Sequence, residues 1–259
     1  MFAIKVRNFI RYSAYLLILG LHALIPLSAS AGVVMYGTRI IYPAGTEFVT
    51  ARFANHDRAP NLMQVWVDDG KGVPPTNAEE TPFFVAPPLF RINAGSEQTV
   101  RIIFNSAAAA LPADRETLFW LNFLQIPPNS ALSQQSGTAR ITISFLNQVK
   151  LIYRPSGIKG DVGDLAKNIR FGIRKEKGDY WLEASNQTGY YATFMEDAAV
   201  KSGNDTHPVK FDKNVTLAPF SSISWKLSGH EPISSPSTVE FSLIDDRGNA
   251  RMSKADISL

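Results

Sequence analysis

From residue 32 onward, apolar and polar positions alternate in short runs and do not recur at helical spacing. In TEFVTARF, Val49, Ala51 and Phe53 alternate with Thr50 and Arg52, and in QTVRIIF, Val100, Ile102 and Phe104 share one face. LMQVWVDDG predicts a strand that runs into a turn at Asp69-Gly70, and LFWLNFLQIPP predicts an apolar strand stopped by Pro127-Pro128. No stretch of a dozen residues holds a helical period; SAAAALPADRE predicts at most one helical turn before Pro112. After Pro155 the Gly-rich, polar SGIKGDVGD reads as a linker. A second series of strands follows: NIRFGIR, DYWLEAS, SSISWKL and TVEFSLIDD. The pattern predicts an all-β chain of two β-sandwiches, each of immunoglobulin-like size, over residues 32–154 and 155–259.

The longest predicted strand is ARITISFLNQVKLIYRP, Ala139 to Pro155. Ile141, Ile143 and Phe145 line one of its faces, and Lys150 stands among Val149, Leu151, Ile152 and Tyr153. An apolar strand of this length is an aggregation hazard if it lies at a sheet edge, unless a partner pairs with it. Strict alternation puts Lys150 on the face opposite Phe145; a bulge or twist near Asn147-Gln148 is what would bring it round. Elsewhere such a lysine simply lays its stem on apolar surface and extends its amine to water. A second cation, Arg39 in GTRIIYPAGTE, also lies in an apolar strand.

Residues 1–31 carry Lys5, Arg7 and Arg11 and then an apolar run from Ala14 to Leu27, too short for a membrane span. Ala29-Ser30-Ala31 fits a cleavage site, so this segment is expected to be a secretory signal peptide. Three of the 26 basic residues and none of the 23 acidic ones fall within it, leaving 23 against 23 and no electrostatic case for nucleic-acid binding. The chain has no cysteine, so an exported protein of this kind depends on packed cores alone; a bacterial periplasmic location is expected. Sequons at Asn186, Asn204 and Asn214 are chance matches in that setting. His56, His207 and His230 lie beside turn formers, have no metal-ligand spacing and are expected in surface loops. Asp68-Asp69 and Glu79-Glu80 are sequence neighbours that point to opposite faces of a strand; they read as solvated turns and not as acid–base pairs. No catalytic, metal or phosphate-binding motif is present, so no enzyme activity, metal or cofactor is expected.

TRIIYPAG, PFFVAPPLFRINAGSEQTVRIIF, LPADRETLFWLNFLQIPP and NQVKLIYRP, in this order and spacing, resemble the periplasmic chaperones of the chaperone/usher pilus pathway. The second half matches more loosely, at GYYATF and LIDDRGNAR. The resemblance implies two immunoglobulin-like domains flanking a cleft. It implies that Arg39 and Lys150 anchor the C-terminal carboxylate of a pilus subunit, a role suited to two cations that donate charge-assisted hydrogen bonds. It implies that Ile141, Ile143 and Phe145 belong to a strand lent to the subunit, whose incomplete fold lacks one. Glu116, Arg154 and Asp246 match the family's interdomain ionic network, with Asp245 competing for the last place. The implied partners are pilus subunits and an outer-membrane usher, with neither nucleic acid nor ATP, and a self-capping oligomer through the exposed strand.

The segment from Asn129 to Ala139 is somewhat longer than in short-loop members, yet the cysteines common in long-loop members are absent, which favours the short-loop type. The alternative is a structural pilus component or adhesin with tandem sandwiches. Against it, the chain enters TRIIY only a few residues after the expected cleavage point, leaving no extended donor arm. A periplasmic hydrolase would need a site that no residue pattern supplies.

Overall fold

A computed structural model describes residues 32–74, 81–105, 110–128, 143–212, 215–229, 232–233 and 236–258. Its first half is a sandwich of β1 (Val33–Met35), β2 (Arg39–Pro43), β3 (Val49–Asn55), β4 (Asn61–Asp68), β5 (Phe83–Ala86), β6 (Leu89–Ile92), β7 (Glu97–Phe104), β8 (Thr117–Ile126) and β9 (Phe145–Arg154). One sheet has the order β1-β3-β7-β5 and the other β2-β9-β8-β4-β6. β1 and β2 are close in sequence but lie in different sheets; the chain crosses at Gly37, whose φ of +93° favours glycine. The alternation of each strand delivers one face to the core: Phe53, Val100, Ile102, Leu121 and Leu151 are fully buried there.

The second half contains β10 (Ile169–Glu176), β11 (Asp179–Asn186), β12 (Ala192–Thr193), β13 (Ala199–Ser202), β14 (Asp205–Lys210), β15 (Thr216–Leu217), β16 (Ser222–Leu227), β17 (Ser237–Ile244) and β18 (Ala250–Ser258). The strands run in the order β10-β11-β16-β14-β13-β17-β18, and β18 closes the ring by pairing parallel to β10. β12 and β15 form a separate two-stranded sheet. Trp225, Phe241, Leu182, Leu217 and Leu227 fill this second core.

Both sandwiches expected from the alternating pattern are present, and four local expectations need correction. The Gly-rich passage after Pro155 leads into a 3-10 helix, Val162–Asn168, whose first turn is capped by Asp161 accepting from the Gly163 N–H at 2.6 Å. His207 is not a loop residue; it lies in β14 and is 2 % exposed, because the alternation of that strand turns it inward with Val209. Asp68 does shape the expected turn, accepting from the Gly70 N–H at 2.8 Å, but it is buried and not solvated. Strand β9 begins at Phe145, so Ile143 and Ser144 precede it. Ile141, His230, Asn214, Glu79-Glu80, the expected signal peptide and the 129–139 segment lie outside the described residues.

Candidate functional site

Strand β9 has two unlike halves. Along Lys150–Tyr153 it is paired on both edges: antiparallel to β8, and parallel to β2 in a register that runs from Arg39↔Lys150 through Pro43↔Arg154. Along Phe145–Val149 it pairs with β8 alone, and among the described residues no strand covers the other edge. That edge offers a row of backbone donors and acceptors. Its side chains are unusually apolar for solvent: Ile143 is 62 % exposed, Phe145 59 % and Leu146 45 %.

The β8–β9 register is continuous from Gln125↔Phe145 to Thr117↔Tyr153, so there is no bulge at Asn147-Gln148. Lys150 therefore stays on the face opposite Phe145. Leu151 enters the first core, with Val149 and Tyr153 packed against it. Lys150, Ile152 and Arg154 point the other way, toward the second domain. No bulge is needed, because the apolar strand and the lysine address different surroundings.

The parallel register sets Arg39 and Lys150 side by side. The Lys150 Nζ donates to Thr193 Oγ1 at 3.0 Å and to Thr216 Oγ1 at 2.5 Å, both on the second domain. The Arg39 guanidinium donates to the Ile244 carbonyl oxygen at 3.0 Å, while its buried Nε has no hydrogen-bond partner. Among the described residues neither cation forms an ion pair. Burial, reinforced by the positive charge of Arg39, pulls the Lys150 ammonium down to about 8. Burial also lowers Arg39, against the opposing pull of Asp246, Asp245 and Glu116. Two adjacent, partly desolvated cations with no carboxylate partner among the described residues can donate to an anion with two acceptor oxygens.

Below this pair the domains meet through Arg154. Its Nε donates to Glu116 Oε1 at 2.6 Å, and its two terminal nitrogens grip Asp246 at 2.6 and 2.8 Å. The second Glu116 oxygen accepts from the Tyr191 N–H at 2.6 Å, and the Glu116 N–H donates to the Gly189 carbonyl at 2.8 Å. Burial pushes the Glu116 carboxyl up, while the Tyr191 N–H and Arg154 hold it back. For Arg154, burial is outweighed by Asp246 and Glu116, which keep it above its ordinary range. Asp245 takes a different part, accepting from the Arg247 and Asn249 N–H groups of its own turn and from Arg251. A cavity of about 440 Å³ lies beside this contact, lined among others by Arg39, Ile152, Arg154 and Asp246.

Glu116, Arg154 and Asp246 thus converge, as do Arg39 and Lys150. Phe145 lies at the far end of β9, with Ile143 just ahead of it. Thr193 and Thr216 escaped the sequence reading. Threonine is common in strands, and what singles these two out is their direct pairing across β12 and β15, a long-range register that local alternation does not reveal.

The family models for the N-terminal domain of the "pili and flagellar-assembly chaperone" PapD and for its C-terminal domain match residues 32–159 and 164–255. The chain is 35 % identical over 233 residues to the chaperone protein FimB/FhaD of Bordetella pertussis, covering 89 % of this chain and 90 % of that one. It is 31 % identical over 223 residues to the probable fimbrial chaperone YadV of Escherichia coli, covering 86 % and 89 %. The solved YadV chaperone superposes with a TM-score of 0.72 at 29 % identity, over 86 % of this chain and 98 % of that one. The SafB chaperone, solved in complex with the Salmonella enterica SafA pilin, gives 0.68 at 27 %, over 88 % and 98 %. With both domains matched in order along one chain, the protein belongs to the PapD family of pili assembly chaperones.

Proposed function

We propose that this protein is a periplasmic, non-enzymatic chaperone that holds pilus subunits by lending them the open half of β9 and delivers them to an outer-membrane usher. The observation that carries the reading is the change of pairing along β9. Its Lys150 end is locked between β2 and β8, while its Phe145–Val149 end has one open edge and exposed apolar side chains. The solved complex of the relative SafB with the SafA pilin supports a subunit as the occupant.

The geometry also gives the added strand a direction. β2 runs parallel to β9 and starts at Arg39, opposite Lys150. A subunit strand that lies along Phe145–Val149 and ends at these cations continues the line of β2 and is likewise parallel to β9. Its main-chain bonds are indifferent to subunit sequence. Burying Ile143 and Phe145, with Ile141 ahead of them, supplies affinity; the two described side chains are worth about 3–6 kcal/mol together. The terminal carboxylate, gripped by Arg39 and Lys150, sets register, because a chain end occurs once per polypeptide.

In this scheme residues 1–31 are a signal peptide, 32–154 and 155–259 are the two domains, and Glu116, Arg154 and Asp246 hold those domains at the angle that forms the cleft. No nucleotide or metal enters. Without a subunit, the open edge pairs with that of a second copy. The test is co-expression with a pilus subunit and purification from the periplasmic fraction. The expected result is a one-to-one complex that is lost when the subunit's last residues are deleted, because the new chain end no longer reaches Arg39 and Lys150. Recovery of the truncated subunit at full yield would overturn the reading.

A further inference from the structure

Thr193 and Thr216 form a small device of their own. They are Cα partners in the β12–β15 pair, so their side chains leave the same face of that sheet next to each other. Both hydroxyl oxygens accept from the same ammonium, at 3.0 and 2.5 Å. Thr193 is 7 % exposed, so water does not readily replace it as an acceptor. The charged group that faces Lys150 is Arg39 on β2; its direct neighbour on β8 is Trp120, and β12 and β15 bring only the two threonines and apolar residues. The ammonium thus sits beside a like charge, with two hydroxyls where a buried lysine would ordinarily have a carboxylate. A carboxylate there would neutralise the cation and compete with an incoming anion; hydroxyls accept its hydrogen bonds while leaving its charge uncompensated.

Resting on the carboxylate-anchoring reading above, we propose that Thr193 and Thr216 are positioning residues, whose paired hydroxyls keep the Lys150 ammonium protonated and aimed into the cleft, so that the second domain supplies half of the anchor. The lysine stem comes from the first domain and its acceptors from the second. Anchor strength therefore depends on the domains being in register.

The test replaces both threonines by valine, which keeps their shape, and both by serine, which keeps the hydroxyls. The first measurement is the pH titration of the Lys150 side chain followed by NMR in the free chaperone. The second is affinity, between pH 6 and 9, for an N-acetylated nonapeptide of alternating valine and threonine with a free C-terminal carboxylate, compared with its C-terminal amide. In the valine variant the lysine titration and the alkaline limb of carboxylate binding are expected to move down together by about one unit, lowering affinity at pH 8 about fivefold. The serine variant is expected to restore both, and the amide to bind equally weakly throughout. Single Thr193→Val serves if the double variant fails to fold. An unmoved lysine titration in a folded valine variant would overturn the inference while leaving the anchor reading intact. Failure of the reading itself has another signature: Lys150→Met binds the carboxylate peptide as well as wild type does.

Discussion

Replacing Lys150 by methionine separates what this residue does for the fold from what it does for binding. Its ammonium is held at about 8 in the folded chain, below the ordinary 10.5, by burial and then by Arg39. A lysine lowered in this way binds fewer protons folded than unfolded, so stability rises with pH between about 8 and 10.5 and loses that increment as pH falls back through 8. At neutral pH the charge is a burden on the free protein. Lys150→Met is therefore expected to melt no lower than wild type at pH 7, and wild type is expected to gain on the variant from pH 8 to 10. Subunit complexes should nonetheless be absent from cells carrying the variant. Thermal melts across that pH range, paired with co-purification, check both halves. A variant that melts well below wild type at pH 7 would show that the lysine stabilises the fold. The cations themselves were legible in the sequence as charges inside apolar strands. Their acceptors were not, because nothing local distinguishes Thr193 or Thr216 from any other strand threonine.

At the scale of the element, β9 shows why alternation is informative and where it misleads. Alternation puts Phe145 and Lys150 on opposite faces, and a bulge is needed to reconcile them only if both address one surface. The continuous register with β8 removes that need: the strand serves its open edge with one half and the cleft with the other. Alternation also turns His207 inward in β14, a phase that its neighbouring turn formers conceal in the sequence. For the lent half, Phe145→Asp is expected to change the melting temperature of the isolated chaperone by only a degree or two, since the side chain is 59 % exposed. Leu151→Asp, one of the fully buried positions on the same strand, should abolish folding. Subunit capture should be lost in the Phe145→Asp variant, where an unpaired charge would have to enter an apolar groove. A large fall in its melting temperature, with capture retained by the folded fraction, would return Phe145 to the protein's own core.

At the scale of the molecule, the two sandwiches are joined by contacts of unequal weight. The Glu116 side chain is 1 % exposed, Arg154 20 % and Asp246 39 %. Removing Arg154 strands a buried carboxylate, which typically costs about 3–5 kcal/mol. Removing Asp246 deletes a half-exposed partner of an arginine that keeps Glu116, at about 1 kcal/mol or less. Arg154→Ala should thus lower both melting temperature and periplasmic abundance far more than Asp246→Ala does. Equal effects of the two variants would mean that the contact does not depend on the buried carboxylate. The two cores could be read from strand spacing, and the break after Pro155 from its glycines. The Arg154 contact that joins them could not, since its side chains lie some 40 to 90 positions apart in sequence and meet only after both sandwiches have formed.

The half-paired strand has a further consequence, one of measurement. Because β9 is unbroken from Phe145 to Lys150, five residues at about 3.3 Å each separate its apolar tip from its cation by roughly 17 Å. If a subunit's carboxylate is held at Arg39 and Lys150 as proposed, that separation works as a ruler laid against the subunit. The distance from a subunit's last residue to the pockets of its groove must match it in length and in phase. A subunit lengthened by one residue at its C-terminus would keep its fold and its carboxylate, yet present every strand side chain to the wrong side. On that proposal, subunits that share this chaperone would be held to a common C-terminal length, even where the rest of their sequences diverge.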